Sequence, residues 1–499
     1  MQQQDKSYTT HQDDIIVSGI GNQTTFTNCT FSKINYNGDG AAFCADISSG
    51  GKLLIKDSKF IECKAIGDES IGGAIYLYIN NEGQASISNS SFNQCEARYG
   101  GGINTYLLDE NSILELASLR FENCSAEYGG GLYSIVSEGH LSITGLTLFQ
   151  NCVSNQNGGG FYLQIQGGNV NFSSTDQILF DNCQGKHGGG LLVIAEDDNT
   201  LATGEAIESG NLITVNGTIN LYYNNTFSNI QLSEAGNGTA INADLQTGSQ
   251  LLIKDSQFIQ CKGSSDGGAI YLNINNEEQA TISNSSFDQC EAQQGGGIYA
   301  SVSSLNSKLE LESVVFENCK GGGVNLRIDT GGKVSISNSS FSNCEANQGG
   351  GIRVDMQNYN SYLELTNLSF ENCSASDGGG LTIFAQDGPK FSINGKTSFK
   401  NCSSITDGGG FNTKCNNTGE QINMTGQLEY EKCTSNRGGG MYVICRAYAI
   451  IVINQLSFKD CSSSGQGGGL YVYSFASQFN VTGQSLFKNC TSEKGGGIY

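Results

Sequence analysis

A chain of 499 residues would ordinarily hold several globular domains, but its composition favours one repeated structure. Its 68 glycines, single proline, absence of tryptophan and 15% charged residues leave little place for long helices. A net charge of −22 without a Lys/Arg cluster excludes non-specific binding to nucleic acid or to an anionic membrane. The most apolar stretch, 443–453, is interrupted by Arg446 and is too short for a transmembrane helix.

The first residues, 1–20, form a polar lead-in before the repeats begin. They lack the basic and apolar regions of a secretory signal, so we expect either a cytosolic protein or a start that is not the native N-terminus. The chain stops at 495–499, in the middle of a repeat. This end indicates a fragment of something longer.

The motif Phe-x-x-Cys recurs along the chain. Five or six positions later it is usually followed by a Gly-Gly-Gly or Gly-Gly-Ala triplet, an apolar residue and often Tyr. The motif occurs fourteen times, and Tyr430 begins a variant. The cysteines of these copies are Cys29, Cys63, Cys95, Cys124, Cys152, Cys183, Cys261, Cys290, Cys319, Cys344, Cys373, Cys402, Cys433, Cys461 and Cys490. Successive cysteines lie 25 to 34 residues apart, except for one gap of 78.

That gap, between Cys183 and Cys261, is predicted to hold one degenerate coil and an insertion. Phe227 begins a copy of the motif in which Ile230 replaces Cys, and an inserted loop is expected near 196–211. A longer similarity overlies the repeat, because LLIKDS at 53–58 returns at 251–256 and ISNSSF at 87–92 returns at 282–287. We interpret it as an internal duplication of about 21–195 and 212–320.

Within each repeat, segments such as 308–312 and 297–302 alternate apolar and polar residues, which indicates short strands. A lone strand cannot bury its apolar side, but coils stacked about 4.8 Å apart complete each other's core. The glycine triplets mark the corners between strands. The sequence therefore predicts an all-β chain, a single right-handed parallel β-helix over 21–499, with about 16 coils of roughly 29 residues.

The pairing of Phe-x-x-Cys with Gly-Gly-(Ala/Gly)-Ile resembles the repeats of the chlamydial polymorphic membrane proteins. More broadly, it resembles the pectin-lyase-like right-handed β-helix. The similarity covers about residues 20–499, although that family carries Asn where this chain has Cys. The resemblance implies a surface location and an adhesive or surface-layer role.

The cysteines of Phe-x-x-Cys are expected to form one ladder along the solenoid. Three interpretations are open. The thiols are free and buried as small apolar groups, or they form disulfides between neighbouring coils, whose spacing falls in the permitted Cα range. The third interpretation, a metal site, lacks a Cys-x-x-Cys motif and has only three histidines to draw on.

Cys415 and Cys445 form a separate case. Each follows the first glycine of its triplet by seven residues, in consecutive coils. We therefore predict that they stack and form a disulfide, the alternative being an unpaired coincidence. Cys44 has no evident partner.

Seventeen Asn-x-Ser/Thr sequons make glycosylation a further prediction. Some lie three residues before Phe and others immediately before Cys, so glycans would form rows, whereas the alternative is that these asparagines stack as amide ladders. The sequons are Asn22, Asn28, Asn89, Asn123, Asn171, Asn216, Asn224, Asn237, Asn284, Asn338, Asn367, Asn372, Asn401, Asn416, Asn423, Asn480 and Asn489.

Catalytic residues are not expected. By resemblance, hydrolases of this fold need clustered Asp with His and Lys or Arg, and lyases need a basic residue beside Ca²⁺-binding carboxylates. The histidines, His11, His140 and His187, lie in different repeats without a matching acid pair. Three residues that precede glycine triplets are interpreted as solvated corner carboxylates rather than Ca²⁺ ligands, namely Asp266, Asp377 and Asp407. No cofactor or metal is expected.

The sequence thus predicts a non-catalytic β-solenoid of the extracellular space or cell surface, structural or adhesive, and a building block of a glycosylated filament. Its expected partners are further copies of the chain or surface polymers such as glycans, and not nucleic acid. One alternative is a carbohydrate-binding or polysaccharide-cleaving pectin-lyase-like protein. A third interpretation is a cytosolic solenoid with reduced thiols.

Overall fold

The computed structural model describes residues 1–166, 170–174, 178–185, 189–196, 214–215, 218–221, 226–232, 238–245, 250–275, 277–415, 420–446 and 448–499. Its regular structure is all β, a parallel β-solenoid with a spacing of about 29 residues. The predicted fold class is confirmed. Two compact units are present: unit 1, Met1–Leu245 with Ser249–Ser264, and unit 2, Ser265–Tyr499 with Gln246–Gly248.

Sheet I holds the strands that precede and include the Phe positions, usually two strands in each coil. In unit 1 they are Gln2–Gln4, Ser7–Tyr8, Gln23–Thr27, Thr30–Ser32, Lys52–Lys56, Lys59–Ile61, Gln84–Ser88, Ser91–Asn93, Ile113–Ala117, Arg120–Glu122, Gly139–Thr144, Thr147–Gln150, Val170–Ser174, Ile178–Asp181, Thr218–Leu221, Thr226–Ser228, Gln250–Lys254 and Gln257–Ile259. In unit 2 they are Gln279–Ser283, Ser286–Asp288, Lys308–Glu312, Val315–Glu317, Lys333–Ser337, Ser340–Ser342, Tyr362–Thr366, Ser369–Glu371, Lys390–Asn394, Lys396–Lys400, Gln421–Glu431, Ile450–Lys459, Gln478–Val481 and Ser485–Lys488.

Sheet II is a collective name for the strands that follow the glycine corners, which in the described residues form one seven-stranded and one ten-stranded sheet. In unit 1 they are Ile15–Ser18, Phe43–Ser48, Ile75–Ile79, Ile103–Leu107, Leu132–Val136, Phe161–Gln166, Leu191–Glu196, Thr214–Val215 and Ile241–Leu245. In unit 2 they are Ile270–Ile274, Ile298–Ser303, Val324–Asp329, Ile352–Gln357, Leu381–Gln386, Phe411–Cys415, Met441–Arg446 and Leu470–Phe475.

Sheet III is a collective name for the short strands after the Cys positions, which in the described residues form one two-stranded and two four-stranded sheets. In unit 1 they are Asn35–Tyr36, Lys64–Ala65, Ser125–Tyr128, Val153–Asn157, Gln184–Gly185 and Gln231–Leu232. In unit 2 they are Ser374–Ala375, Ser403–Ser404, Thr434–Arg437 and Ser462–Gln466. No helix in the described ranges has the length and apolar character needed to cross a membrane.

The core of each unit is built from in-register ladders of identical side chains. Phe341, Phe370 and Phe399 are fully buried, and their ring centroids stack 5.0 and 4.8 Å apart. This distance matches the spacing between strands, about 4.8 Å. Because every coil repeats the aromatic residue, each ring covers the ring of its neighbour, and full burial of such a side chain contributes about 2–3 kcal/mol.

The three glycines of a corner have three different reasons to lack a side chain. Gly129 has a φ of 65°, in the left-handed region. A Cβ on Gly130 would lie 2.1 Å from the carbonyl oxygen of Gly159 in the next coil. A Cβ on Gly131 would lie 2.7 Å from the Phe149 ring. Close stacking of the coils therefore favours glycine at all three positions of this corner.

The first residues of the chain extend the solenoid. Gln2–Gln4 pairs in parallel with Gln23–Thr27, Ser7–Tyr8 with Thr30–Ser32, and Ile15–Ser18 with Phe43–Ser48. The segment 1–20, predicted as a polar lead-in, therefore carries strands of its own. The inserted loop predicted near 196–211 lies outside the described residues, except for Glu196.

Candidate functional site

In the described residues, aromatic side chains recur on the outer side of sheet II, as at Tyr76, Tyr299 and Tyr442. In Ile75–Ile79 the isoleucines and Leu77 point inward and are buried, whereas Tyr76 and Tyr78 point outward and are half-buried. The parallel register places Tyr76 beside Asn104 and Asn104 beside Tyr133. Outward residues therefore form rows with the strand spacing of about 4.8 Å.

Six tyrosines cluster on this side of unit 1: Tyr76, Tyr99, Tyr106, Tyr128, Tyr133 and Tyr162. The Tyr76 and Tyr106 rings meet almost at right angles, 87°, with centroids 5.8 Å apart. Burial raises the pKa of the Tyr76 and Tyr133 phenols, so both are neutral at physiological pH. Arg98 lies 5.3 Å from the Tyr99 ring centroid and donates to Glu127 at 2.7 Å.

Unit 2 has a groove of about 320 Å³ on its own sheet II strands. Its lining combines aromatic rings, amides and charged groups, and includes Gln294, Tyr299, Asn325, Arg327, Asp355, Phe384 and Gln386. At its edge Arg353 donates to Asp355 at 2.8 Å. Burial raises the pKa of the Asp355 carboxyl, although Arg353 and Arg327 both act to lower it. The groove thus offers apolar surface beside several donors and acceptors.

A second charged cluster in unit 2 surrounds Asp407, whose side chain is only 4% exposed. Arg437 donates two hydrogen bonds to this carboxylate, at 2.8 and 3.1 Å, and Lys414 lies 3.4 Å from it. The Arg437 guanidinium also lies 5.0 Å from the Tyr442 ring centroid. Burial raises the pKa of the Asp407 carboxyl against the opposing effect of the two cations. Here the chain itself places a cation between a tyrosine and a buried carboxylate.

This cluster corrects the prediction of solvated corner carboxylates. Asp407 is buried in an ion pair, and Asp377 shares Lys414 with it at 3.5 Å, because the corner side chains fold over the outer side of sheet II. Burial also raises the pKa of the Asp266 carboxyl. Among the residues that the structure describes, no group of three or more His, Cys, Asp or Glu could hold a metal ion.

The cysteine ladder is present, and its members are free thiols. Cys373 is representative: it is fully buried, and its Sγ donates to the carbonyl oxygens of Phe341 at 3.4 Å and Glu371 at 3.6 Å. This arrangement agrees with the interpretation as buried thiols, and no sulfur atoms lie at bonding distance. Ile230 is fully buried and accepts a hydrogen bond from Lys262, as expected for the residue that replaces Cys.

Cys29 does not belong to the ladder, which corrects the sequence alignment. Phe31 pairs with Phe60, so Ile34, three residues later, takes the ladder position. Cys29 instead accepts a hydrogen bond at its backbone oxygen from Lys59 and lies next to Ser58. The error arose because Phe26 also precedes Cys29 by three residues, so two aromatic residues compete for the motif.

Cys415 and Cys445 stack directly, as predicted, because they are register partners in adjacent strands. Both are buried and both are free, so the predicted disulfide is not formed in this structure. Cys44 is half-buried, and burial, followed by the charges of Asp14, Asp39 and Asp46, raises the pKa of its thiol to about 12.

The regular positions of the sequons, before Cys and three before Phe, coincide with a left-handed backbone conformation. Asn123, Asn372 and Asn401, immediately before Cys, have φ values of 53°, 54° and 52°, and Asn89 and Asn338, three before Phe, have 49° and 51°. Asparagine tolerates this left-handed conformation better than most residues. Its side chain also forms ladders, since Asn401 donates to Asn372 at 3.1 Å and Asn372 donates to Asn343 at 3.2 Å. The amide-ladder alternative is thus present.

The other sequons divide by position. Asn28 precedes Cys29, but because Phe31 is the ladder residue of this coil, Asn28 takes the position three before Phe, with a φ of 52°. Asn284 and Asn367 also lie three before Phe, Asn489 lies immediately before Cys, and all three have a positive φ. Asn22 lies between strands, while Asn171, Asn423 and Asn480 lie on strands of sheet I. The remaining sequons, Asn216, Asn224, Asn237 and Asn416, lie outside the described residues.

The histidines occupy separate places. His11 stacks on Tyr36 with ring centroids 3.6 Å apart, and its Nδ1 lies 3.1 Å from the Gly40 carbonyl oxygen. His140 is an exposed residue of sheet I in register with Ile113. His187 lies outside the described residues.

Sequence reasoning missed the tyrosine and arginine groups of sheet II. The signal was the Tyr that often follows the glycine triplet, but the pattern alone does not show which coils bring two rings together. Comparison of the chain with protein-family models and with curated proteins finds no match.

Proposed function

We propose that this chain is a non-catalytic structural or adhesive β-solenoid that works at a cell surface or in the extracellular space. The observation that carries the proposal is that, within each unit, outward side chains recur from coil to coil over ladders of buried side chains, as in the register of Phe341 with Phe370 and of Ile352 with Leu381. Such a core gives a stiff support on which surface side chains recur at a fixed spacing. The net charge of −22 keeps such a solenoid soluble.

Glycosylation and secretion belong to this proposal. They are tested together by surface biotinylation of intact producing cells, followed by mass spectrometry of the sequon peptides without reduction. Labelled protein with glycans on several of the 17 sequons supports the proposal. Unlabelled protein with bare asparagines and free thiols throughout would return the cytosolic interpretation to first place.

A second candidate, carbohydrate binding, is favoured by the groove of unit 2. Tyr299 and Phe384 provide flat apolar faces, and Gln294 and Asn325 provide amide donors and acceptors within the same 320 Å³. Sugars present apolar C–H faces and hydroxyl groups, which these two kinds of side chain match. Because Asp355 is held by Arg353, we propose binding without cleavage.

Titration of the whole chain against a panel of immobilised glycans tests this candidate. Phe384→Ala should lower the affinity about tenfold, as expected for loss of one aromatic anchor. Ile405→Ala, at a residue of unit 2 that is 74% exposed, is the matched control and should leave binding unchanged. Equal binding by both variants would contradict the groove as the binding site.

A further inference from the structure

On sheet II of unit 2, a basic side chain contacts both a tyrosine ring and a carboxylate. In unit 2 Arg437 lies 5.0 Å from the Tyr442 ring centroid and 2.8 Å from the Asp407 carboxylate. Lys414 lies 5.8 Å from the Tyr442 and Phe384 ring centroids. A cation held between an aromatic face and a carboxylate is stabilised by both.

Unit 1 has the rings and the carboxylate of this arrangement without a cation. Tyr76 and Tyr106 form a corner at 87°. Asp39 precedes Gly40, which lies against the Tyr76 strand, since a Cβ on Gly40 would be 3.0 Å from the Tyr76 backbone nitrogen. The charge of Asp39 accordingly helps to raise the pKa of both phenols. Asp39 lies before a glycine corner, as Asp407 does, and accepts one hydrogen bond from the backbone N–H of Ile71 at 3.2 Å. In the described part of unit 1, no Lys or Arg forms an ion pair with Asp39 or a cation–π contact with Tyr76 or Tyr106.

Two basic side chains of unit 1, Arg98 and Lys64, are engaged elsewhere. Arg98 donates to Glu127 and to the Asp68 carbonyl oxygen, both at 2.7 Å, and Lys64 donates to Glu96 at 2.7 Å. Burial and the charge of Asp14 raise the pKa of the Asp39 carboxyl, so the acid is held among like charges. An incoming cation would relieve this repulsion.

A buried amide adds a second, independent indication. Asn104 is fully buried between Tyr76 and Tyr133 in register, and its Oδ1 has no hydrogen-bond partner among the residues that the structure describes. Its Nδ2 donates to the Tyr99 carbonyl oxygen at 3.4 Å. A buried acceptor without a donor costs about 1–3 kcal/mol. A donor that enters beside the rings would remove this cost.

We propose that the corner formed by Tyr76, Tyr106, Asn104 and Asp39 binds a lysine or arginine side chain of a partner protein. The ammonium or guanidinium group packs on the two rings, pairs with the Asp39 carboxylate and donates toward Asn104. The proposal names a partner chemistry for the adhesive role and rests on the proposed function only for its biological setting. The binding itself does not depend on where the protein resides.

Fluorescence anisotropy of a labelled peptide that alternates Lys and Ser, titrated with the purified whole chain, tests the site. Asp39→Asn keeps the acceptor for Ile71 and should weaken binding about fivefold, as should Tyr106→Leu. A peptide that alternates Glu and Ser should not bind.

Two control variants separate the site from the general attraction of a chain with a net charge of −22. Asp57→Asn removes the same charge from unit 1 at an exposed turn whose φ of 52° asparagine tolerates. Tyr473→Leu removes a tyrosine of sheet II that is 44% exposed. Both should bind the peptide as the unmodified chain does. Equal weakening by controls and site variants, or none by any, would overturn the proposal.

Two further outcomes identify the occupant and the folded state. Spermine binding more tightly than the peptide would overturn a protein side chain as the ligand. Circular dichroism of each variant should match that of the unmodified chain. If Tyr106→Leu unfolds, Asp39→Asn alone decides, since its substitution preserves shape and the Ile71 hydrogen bond. Surface biotinylation of cells is a separate experiment, so either proposal can fail without the other.

Discussion

Asn372, the residue before a ladder cysteine, has a φ of 54° and belongs to a row of residues with the same backbone conformation. Most L-residues pay about 1–2 kcal/mol in this region, and asparagine pays less. Other coils place Glu62, Gln94 or Lys432 there, so the position demands a conformation and not a particular chemistry. The recurrence of Asn before Cys therefore follows from turn geometry as well as from any glycosylation.

Replacing Asn372 tests this account. Asn372→Ala should lower the free energy of unfolding by about 1 kcal/mol more than Asn372→Gly, because glycine adopts the left-handed turn without strain. Both variants lose the same amide ladder to Asn343 and Asn401, so the difference isolates the backbone. Urea unfolding of unglycosylated recombinant protein measures it. If both variants lose the same free energy of unfolding, the recurrence of Asn at this position is explained by the amide ladder alone.

Thiol reactivity gives a second test at the residue scale. Cys44 is half-buried, and its thiol pKa of about 12 leaves little thiolate at neutral pH. The thiolate is the reacting form, so the rate of Cys44 alkylation by iodoacetamide should rise about tenfold per pH unit from pH 7 to pH 10. Peptide mass spectrometry of timed samples follows it.

The unfolded chain serves as the control for this measurement. In guanidinium chloride the alkylation rate of every cysteine should stop rising with pH once the pH passes the ordinary thiol pKa of about 8.5. If the alkylation rate of Cys44 in the folded protein stopped rising at the same pH, burial and the nearby carboxylates would not be keeping the thiol neutral.

Among the ladders, the aromatic one contains a polar exception. Tyr430 replaces Phe, stacking 4.9 Å from Phe399 and 4.6 Å from Phe458, and its hydroxyl is buried without a hydrogen-bond partner among the described residues. Tyr430→Phe should therefore raise the free energy of unfolding by about 1 kcal/mol. Phe458→Tyr, on the next rung, is the reciprocal variant and should lower it. Urea unfolding that ranks the two in the opposite order would contradict this account.

The glycine corner makes a prediction within one triplet. A Cβ on Gly350 would meet the carbonyl oxygens of Gly379 at 2.4 Å and Ser374 at 2.6 Å, which belong to backbone. A Cβ on Gly351 would meet the Phe370 ring at 2.6 Å, and a ring can tilt. Gly350→Ala should cost about 3 kcal/mol and Gly351→Ala clearly less.

Natural variation shows that individual coils accommodate a Cβ at either position. The third position is occupied by Ala74 and Ala269, and the second position by Ala41 and Thr239, all fully buried. The predicted difference therefore applies to the corner of Gly350 and Gly351, whose neighbours are the carbonyl oxygens and the ring named above. Thermal unfolding by circular dichroism compares the two variants. If Gly351→Ala lowers the unfolding midpoint more than Gly350→Ala does, the contact with the Phe370 ring, and not the contact with the carbonyl oxygens, is the stronger reason for glycine at this corner.

How far the sequence predicts each element depends on whether its signal is periodic. The strands and the ladder of Phe341, Phe370 and Phe399 follow from a period that any coil shows. Cys29 was misplaced because one coil offers two aromatic residues to the motif. The corner of Tyr76 and Tyr106 was not predictable, because it depends on which coils place their outward tyrosines side by side.

Across the whole molecule, charge opposes folding while the ladders favour it. The net charge of −22 is not compensated by exposed ion pairs such as Lys400–Glu371 and Lys459–Glu431, since each contributes about 0–1 kcal/mol. Repulsion among the excess carboxylates reaches farther than these pairs, over a screening length of about 30 Å at 0.01 M salt. Acidic side chains therefore destabilise the folded chain most at low ionic strength.

Adding sodium chloride should for this reason stabilise the protein. Between 0.01 M and 0.1 M salt the screening length falls from about 30 to about 10 Å, which weakens the long-range repulsion more than the contacts at hydrogen-bond distance. The midpoint of thermal unfolding, followed by circular dichroism, should rise. The same measurement in sodium sulfate at equal ionic strength separates screening from salting-out. Screening is the same in both salts, so any additional rise of the midpoint in sulfate is due to salting-out. A midpoint that falls with sodium chloride would mean that the ion pairs outweigh the excess charge.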